Sequence, residues 1–318
     1  MATLPPFPGR AALPLFTALA ALGCGSPSAP PSSGAAQTPP SAEAESPPAA
    51  YSYPAPVSGH FEEINTGSFD LVDGLAYLAS GGAGTVVWAA SEPIASPLVA
   101  GSACPMTEAR ALAVLRDASY VEVTIDARAH SDYFAWGTVF AGQSRESDVG
   151  GGYWRIDSGG PRDGRIAGKA RHKQHGGFEF DLPIGHPSVT QVSEGERMQG
   201  RRTAADLPTP SEAKLLATYE AIRKAARTRN LKALLEAQGF AAETVRAVRG
   251  LAGIESDFAA FADRFFDPGT PEEPSVDAGY GGVGARGTNA KGEAFFNWYE
   301  MAPCGDRLVL TSIGLNPQ

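Results

Sequence analysis

Cysteine is scarce. Three occur in 318 residues, so the chain is not a disulfide framework of the small secreted kind. Histidine is nearly as rare, at five. There is no C-x-x-C, no G-x-S-x-G and no phosphate-binding glycine loop of the G-x-x-x-x-G-K kind. The readings that those three patterns would carry fall with them. Positive charge is also in deficit. The net charge is −9, which argues against nucleic acid and anionic lipid surfaces as partners. The N-terminal apolar run, Ala11 to Gly23, is too short to cross a bilayer.

That run follows Arg10 and ends in Ala21-Leu22-Gly23-Cys24, a signal-peptide length and layout. The segment resembles the lipobox of bacterial lipoproteins, with Ala21 and Leu22 in the reverse of the usual order. The resemblance implies cleavage before Cys24, a lipid on that cysteine and anchorage in the cell envelope. Gly25 stands where an inner-membrane retention signal has Asp, so the resemblance favours the outer membrane of a Gram-negative cell. Residues 1–23 are then a signal peptide, and its loss with Arg10 makes the mature chain one unit more negative. The alternative is an apolar N-terminal helix with an incidental cysteine. Residues 24–56 are rich in Pro, Ser and Ala, bury too little to offset ordering entropy, and read as a disordered tether.

The remaining length predicts two domains in an α+β chain. Residues 57–200 read as an all-β antiparallel domain, a sandwich or barrel. Glycine-rich Gly81 to Gly84 joins strands at Gly74–Ser80 and Thr85–Ala90. Tyr120–Asp126 alternates like a half-buried strand returning through Tyr133–Phe140. Further strands are read at Tyr153–Ile156, Arg165–Arg171 and Phe178–Leu182, with one helix, Met106–Asp117, capped by Thr107. The polar stretch 186–208 is read as the boundary.

Residues 201–318 read as an α+β domain with helices packed on a curved antiparallel sheet. Thr209-Pro210-Ser211-Glu212 fits a capping box, with Thr209 as the cap. Asn230 opens a second helix that Gly239 stops. Ala242–Arg249 forms a third, and Ser256 opens a fourth with Phe258, Phe261 and Phe265 on one face. Three strands follow, at about 278–287, 293–301 and 307–315. Helices before a terminal meander, with the run AKGEAFFNWYEMAPCGDRLVLTSIGL, resemble the nuclear-transport-factor-like fold. Members of that fold differ in activity, so the resemblance names no function. Both faces of 293–301 are apolar. The helices cover one, and the β domain or a second copy covers the other.

Candidate chemistry is thin. His172 and His175 sit among basic residues, and i,i+3 positions on a strand point to opposite faces. They read as an exposed hairpin tip, not a metal site. Asp157-Ser158-Gly159-Gly160-Pro161 resembles the nucleophile segment of trypsin-like proteases, with His130 upstream, but His130 and Ser158 are only 28 positions apart, too close for a barrel each; a glycine turn is the plainer reading. Arg223, Lys224, Arg227, Arg229 and Lys232 form a solvated helix face or an anion site. Phe258, Phe261, Phe265, Phe295, Phe296 and Trp298 are core or a cavity lining. Cys104 and Cys304 either form a disulfide in an oxidising compartment or stay as two buried thiols. No catalytic residue, cofactor or metal ligand is assigned. The expectation is a lipid-anchored envelope protein with a binding or scaffolding role, its protein or small-molecule partner unnamed. An enzyme using a C-terminal cavity is the alternative.

Overall fold

The computed structural model describes residues 48–63, 67–79, 84–126, 135–141, 145–149, 154–188, 209–266, 275–277, 281–288, 292 and 294–317. The expected signal peptide, Cys24, His130 and most of the boundary at 186–208 lie outside them. The chain is α+β, and Ser46–Gln318 pack as one compact unit.

Ten strands form the first sheet. They are β1 (Val57–Glu63), β2 (Gly67–Leu71), β3 (Asp73–Ala79), β4 (Gly84–Ala90), β5 (Tyr120–Asp126), β6 (Ala135–Ala141), β7 (Arg145–Val149), β8 (Trp154–Ser158), β9 (Arg165–His172) and β10 (Gly176–Ser188). Their order is β2-β1-β10-β3-β4-β5-β6-β7, with β9 also on β10 and β8 on β9. The hairpins read from period-2 alternation are present. The all-antiparallel expectation fails at one ladder: β10 lies antiparallel to β9 and β1, then from Ile184 runs parallel to β3. The ladder to β9 ends at Pro183, which has no N–H to donate. One long strand thus serves both layers. Between them lies a cluster of Phe61, Val87, Val121, Val123, Trp154, Phe178 and Phe180. A Cβ on Gly59 or Gly177 would meet neighbouring-strand backbone at 2.4 or 2.3 Å, so these two positions require glycine where β1, β10 and β9 approach.

Two helices interrupt the strands, α1 (Ser96–Val99) and α2 (Pro105–Arg116). Every residue of α2 but Arg110 is buried. A surface helix buries one stripe. This one is covered all round, by β3 and β10 on one side and by later elements on the other. The later elements are α3 (Glu212–Arg227), α4 (Leu231–Ala237), α5 (Ala242–Arg249), α6 (Ile254–Phe265), and a second sheet of β11 (Ser275–Asp277), β12 (Gly282–Thr288), β13 (Ala294–Cys304) and β14 (Arg307–Pro317) in sequential antiparallel order, and of these α6 and β14 pack on α2. Leu75, Trp88 and Leu112 share one buried cluster with Tyr219, Phe258, Tyr299 and Val309, so residues on both sides of the expected boundary meet in a common core. For the same reason β5 is buried on both faces, Glu122 and Thr124 included, not half-buried.

Three caps differ from expectation. The N-cap of α2 is Cys104, with Thr107 buried inside the first turn. That of α3 is Ser211, whose side chain accepts from the Lys214 N–H. That of α6 is Gly253 in the left-handed region, which suits glycine better than Ser256. Asn230 caps α4 as read, accepting from the Ala233 N–H at 2.9 Å.

Residues 48–56 are the described part of the segment read as a tether. Residues 48–56 lie on the body because two tyrosines give Pro- and Ala-rich chain something to bury. The Tyr51 N–H donates to the Gly250 carbonyl at 2.8 Å. The Tyr53 hydroxyl donates to Asp73 and accepts from the Ala95 N–H at 2.9 Å. Asp73 is 1% exposed and accepts also from Ser96 Oγ and from the N–H groups of Gly74 and Ile94. Burial pushes its pKa up, and those hydrogen bonds hold it back.

Candidate functional site

The histidine hairpin is where the sequence placed it, but its side chains are not. His172 ends β9, and chain reversal through the turn brings the His175 ring onto it, with centroids 4.5 Å apart. His172 is buried against Trp154 and Phe61, so the exposed-turn expectation is corrected for it. Strand phase fails as a guide because a turn intervenes. The Gln174 N–H reaches His172 Nδ1 at 3.3 Å, which leaves the neutral ring's proton on Nε2. His175 Nδ1 donates to the Glu62 carbonyl at 2.8 Å. Burial first, then His175 and Lys173, lower the His172 pKa to about 4. Beside the hairpin an open groove of about 510 Å³ is lined by Ser58, Lys169, Arg171, His172, Phe178 and Glu179, among others, and Lys169 and Glu179 pair across it at 2.5 Å. Among the described residues no group of three His, Cys, Asp or Glu side chains is placed to hold a metal.

A second histidine was not singled out by the sequence. His60 on β1 sits opposite Asp70 on β2, and Glu62 opposite Ser68. Ser68 and Asp70 are two apart on a strand and share a face, so the His60 ring lies between them. His60 Nδ1 meets Asp70 Oδ1 at 2.8 Å, and Ser68 Oγ meets His60 Nε2 at 3.0 Å. Asp70 only accepts, so it fixes the proton on Nδ1 and leaves Nε2 to accept from Ser68. The side chains are open to solvent, 56% exposed at His60 and 79% at Asp70.

The third feature is a seam around α2. Arg110 pairs with buried Glu122 at 2.7 Å and lies over the Tyr120 ring. Glu108 is buried and paired with Arg307, which also donates to the Gln238 carbonyl and lies over Phe240. Arg116 reaches Asp257 at 2.9 Å and the carbonyls of Pro93 and Ala252. Cys104 and Cys304 are joined in a disulfide with Cα atoms 5.9 Å apart. The β12–β14 sheet has Tyr299 and Asn297 toward the helices, the Tyr299 hydroxyl donating to the Phe265 carbonyl at 2.7 Å. Phe296, Trp298 and Glu300 share the opposite face. The Trp298 indole lies over Gly282, where a Cβ would meet it at 2.7 Å. Arg286 caps the Phe296 ring at 5.5 Å. The Glu300 carboxyl is reached by solvent yet walled by protein; burial raises its pKa and Arg110 opposes the rise.

The other sequence candidates are accounted for locally. Ser158 Oγ donates to the Ala167 carbonyl and accepts from the Gly160 N–H, which makes the D-S-G-G-P segment a closed turn. In the basic run, Arg223 pairs with Glu220 and Arg229 with Asp263. Phe258, Phe261 and Phe265 are core, while Phe295, Phe296 and Trp298 are half-buried. His60, Ser68, Asp70, Arg110, Glu122 and Glu300 went unread as a site because each is an ordinary polar residue in an alternating strand or helix. No family model, curated protein or solved structure matches the chain.

Proposed function

We propose that the chain is a lipid-anchored protein of the bacterial cell envelope, held by Cys24, most consistent with the outer membrane, with a binding or scaffolding role. The observation that carries the reading is the partition of the three cysteines. Cys104 and Cys304 take each other in a bridge that suits an exported protein. The third, Cys24, follows the lipobox-like Ala21-Leu22-Gly23. The half-buried Phe296 and Trp298 beside Glu300 and Arg110 supply a surface for a small-molecule or protein partner. The finer fold belongs to the same reading: a β domain, then an α+β domain like the nuclear-transport-factor-like fold, supported by helices α3–α6 preceding a four-stranded meander. The alternative, an enzyme using a C-terminal cavity, has in its favour the raised pKa of Glu300 in a walled position.

Expression in a Gram-negative host with labelled palmitate tests the anchor. The mature chain should carry label and fractionate with outer membrane, and Cys24→Ala should carry none and accumulate as precursor or soluble protein. Equal labelling of the variant overturns the anchor.

A further inference from the structure

We propose that Ser68, His60 and Asp70 form a nucleophilic relay that cleaves small, uncharged or cationic esters, an activity independent of the anchor.

The polarity of the relay is set by its hydrogen bonds. Asp70 holds the Nδ1 proton of His60, so Nε2 is the lone pair that faces Ser68 Oγ at 3.0 Å. That is the arrangement in which a base can take a hydroxyl proton as the oxygen attacks.

Strand phase supplies the remaining part, a donor for the developing oxyanion. In an antiparallel ladder a residue's N–H and C=O both point to the same neighbour, and successive residues alternate. On β1 the Glu62 N–H bonds the His175 carbonyl, and the Pro56 carbonyl accepts from Asp181, so even-numbered residues of β1 face β10. Odd-numbered residues therefore face β2 and make its ladder bonds, through Phe61 with Phe69 and Glu63 with Gly67. Ser68 lies opposite Glu62, so its N–H points away from β1. β2 ends the strand order, and no described strand pairs with that outer edge. The Ser68 N–H is thus directed off the sheet edge, next to its own Oγ, where a carbonyl oxygen bound at Oγ can accept from it.

The chemistry balances without a cofactor. Ser68 Oγ bonds to the ester carbonyl carbon while His60 Nε2 takes its proton. The C–O bond to the leaving alcohol breaks, and His60 returns the proton to that oxygen. Water then attacks the acyl-serine, giving its proton to His60, and the carboxylic acid leaves as Oγ recovers the proton. Substrate class follows from the surroundings. Glu62 faces Ser68 and Asp70 flanks the ring, which disfavours anionic acyl groups. The exposed relay has little low-dielectric wall to strengthen it, which limits it to esters with good leaving groups and excludes peptide bonds.

The full chain is treated with a biotinylated fluorophosphonate, digested and mapped by mass spectrometry, and its hydrolysis of p-nitrophenyl acetate is followed in parallel. Expected are a covalent adduct on Ser68, its loss in Ser68→Ala and in His60→Ala, and a fall of at least about tenfold in ester hydrolysis above background in Ser68→Ala. Asp70→Asn should lower labelling less than His60→Ala. All three side chains are exposed, so melting temperatures stay within about a degree of the parent and misfolding is separable from lost chemistry. No adduct, an adduct on Ser158 instead, or hydrolysis unchanged in Ser68→Ala overturns the proposal. None of these results bears on palmitate at Cys24.

Discussion

The two buried clusters are held by different means. The one between the layers of the ten-stranded sheet is Phe61, Trp154, Phe178, Phe180 and their aliphatic neighbours, with His172 at its rim. It joins hairpins and distant strands alike, β10 lying on β1 and β3, through backbone ladders and apolar side chains. The one around α2 joins segments far apart in the chain. Arg116 and Asp257 are 141 residues apart, Glu108 and Arg307 are 199 apart, and the disulfide closes 200. Apolar surface is non-directional, so it can hold distant segments together without fixing how they sit. A buried ion pair adds little net stability over good apolar packing, but any other register strands its charges. The seam around α2 therefore carries directional fasteners that the first cluster does without.

The strongest way to break this contrast is to remove the disulfide. Closing a loop of that length restricts the unfolded chain by on the order of 5 kcal/mol in the chain-entropy account. Cys104→Ala with Cys304→Ala should lower stability by up to that amount in denaturant titration. Hydrogen exchange should then quicken first in α2, β13 and β14, with β9 and β10 still protected. Uniform loss of protection would show that the two clusters are one cooperative unit, and the contrast would lose its meaning.

Legibility follows the same line. The hairpins 74–90 and 165–182 and the helices after residue 209 are visible in the sequence because period and turn chemistry are local. The parallel step of β10 onto β3 is not, since no spacing announces which strand a distant segment joins. Glu122 reads as a solvent-facing residue by alternation; it is buried because Arg110 on α2 lies over it. Ser68, His60 and Asp70 depend on cross-strand register between β1 and β2, which alternation alone leaves open by two residues in either direction. The cysteine bridge could be stated only as one of two states until the Cα separation was known. Tyr51 and Tyr53 are the signal that residues 48–56 lie on the body, two aromatics in a stretch otherwise without them.

A titration sharpens the comparison from the side of the first cluster. His172 has a folded pKa of about 4 against an ordinary value of 6.5. The fold favours the neutral ring, so between those values the unfolded chain binds a proton that the folded chain refuses. Stability present above pH 6.5 is lost as pH falls toward 4, by on the order of 2 kcal/mol. His172→Phe keeps a ring beside Trp154 and Phe61 but cannot titrate. Its melting temperature should fall less steeply than the parent's from pH 7 to pH 4.5. Parallel slopes would place the pH dependence elsewhere and remove His172 from that cluster's energetics.

The smallest effect tests how a helix in the second cluster begins. The sequence Thr209-Pro210-Ser211-Glu212 offers two caps. Thr209 puts Pro210 at the first helical position and Glu212 at the third, which is the pattern a capping box prefers. The chain uses Ser211, with Glu212 first in the helix and the Ser211 side chain accepting from the Lys214 N–H at 3.4 Å. The phase of the buried stripe gives the reason: Leu215, Tyr219, Ile222 and Ala226 are set by contact with the core, and the start is whichever residue leaves the body in extended conformation just before them. Ser211 does so, at φ −72° and ψ 148°. The bond is long and exposed, so Ser211→Ala should cost no more than about 1 kcal/mol. Thr209→Ala should cost a few tenths at most, as for an exposed residue outside the helix. Equal losses for the two, or a larger one for Thr209, would mean that local capping chemistry and not core contact sets where α3 begins.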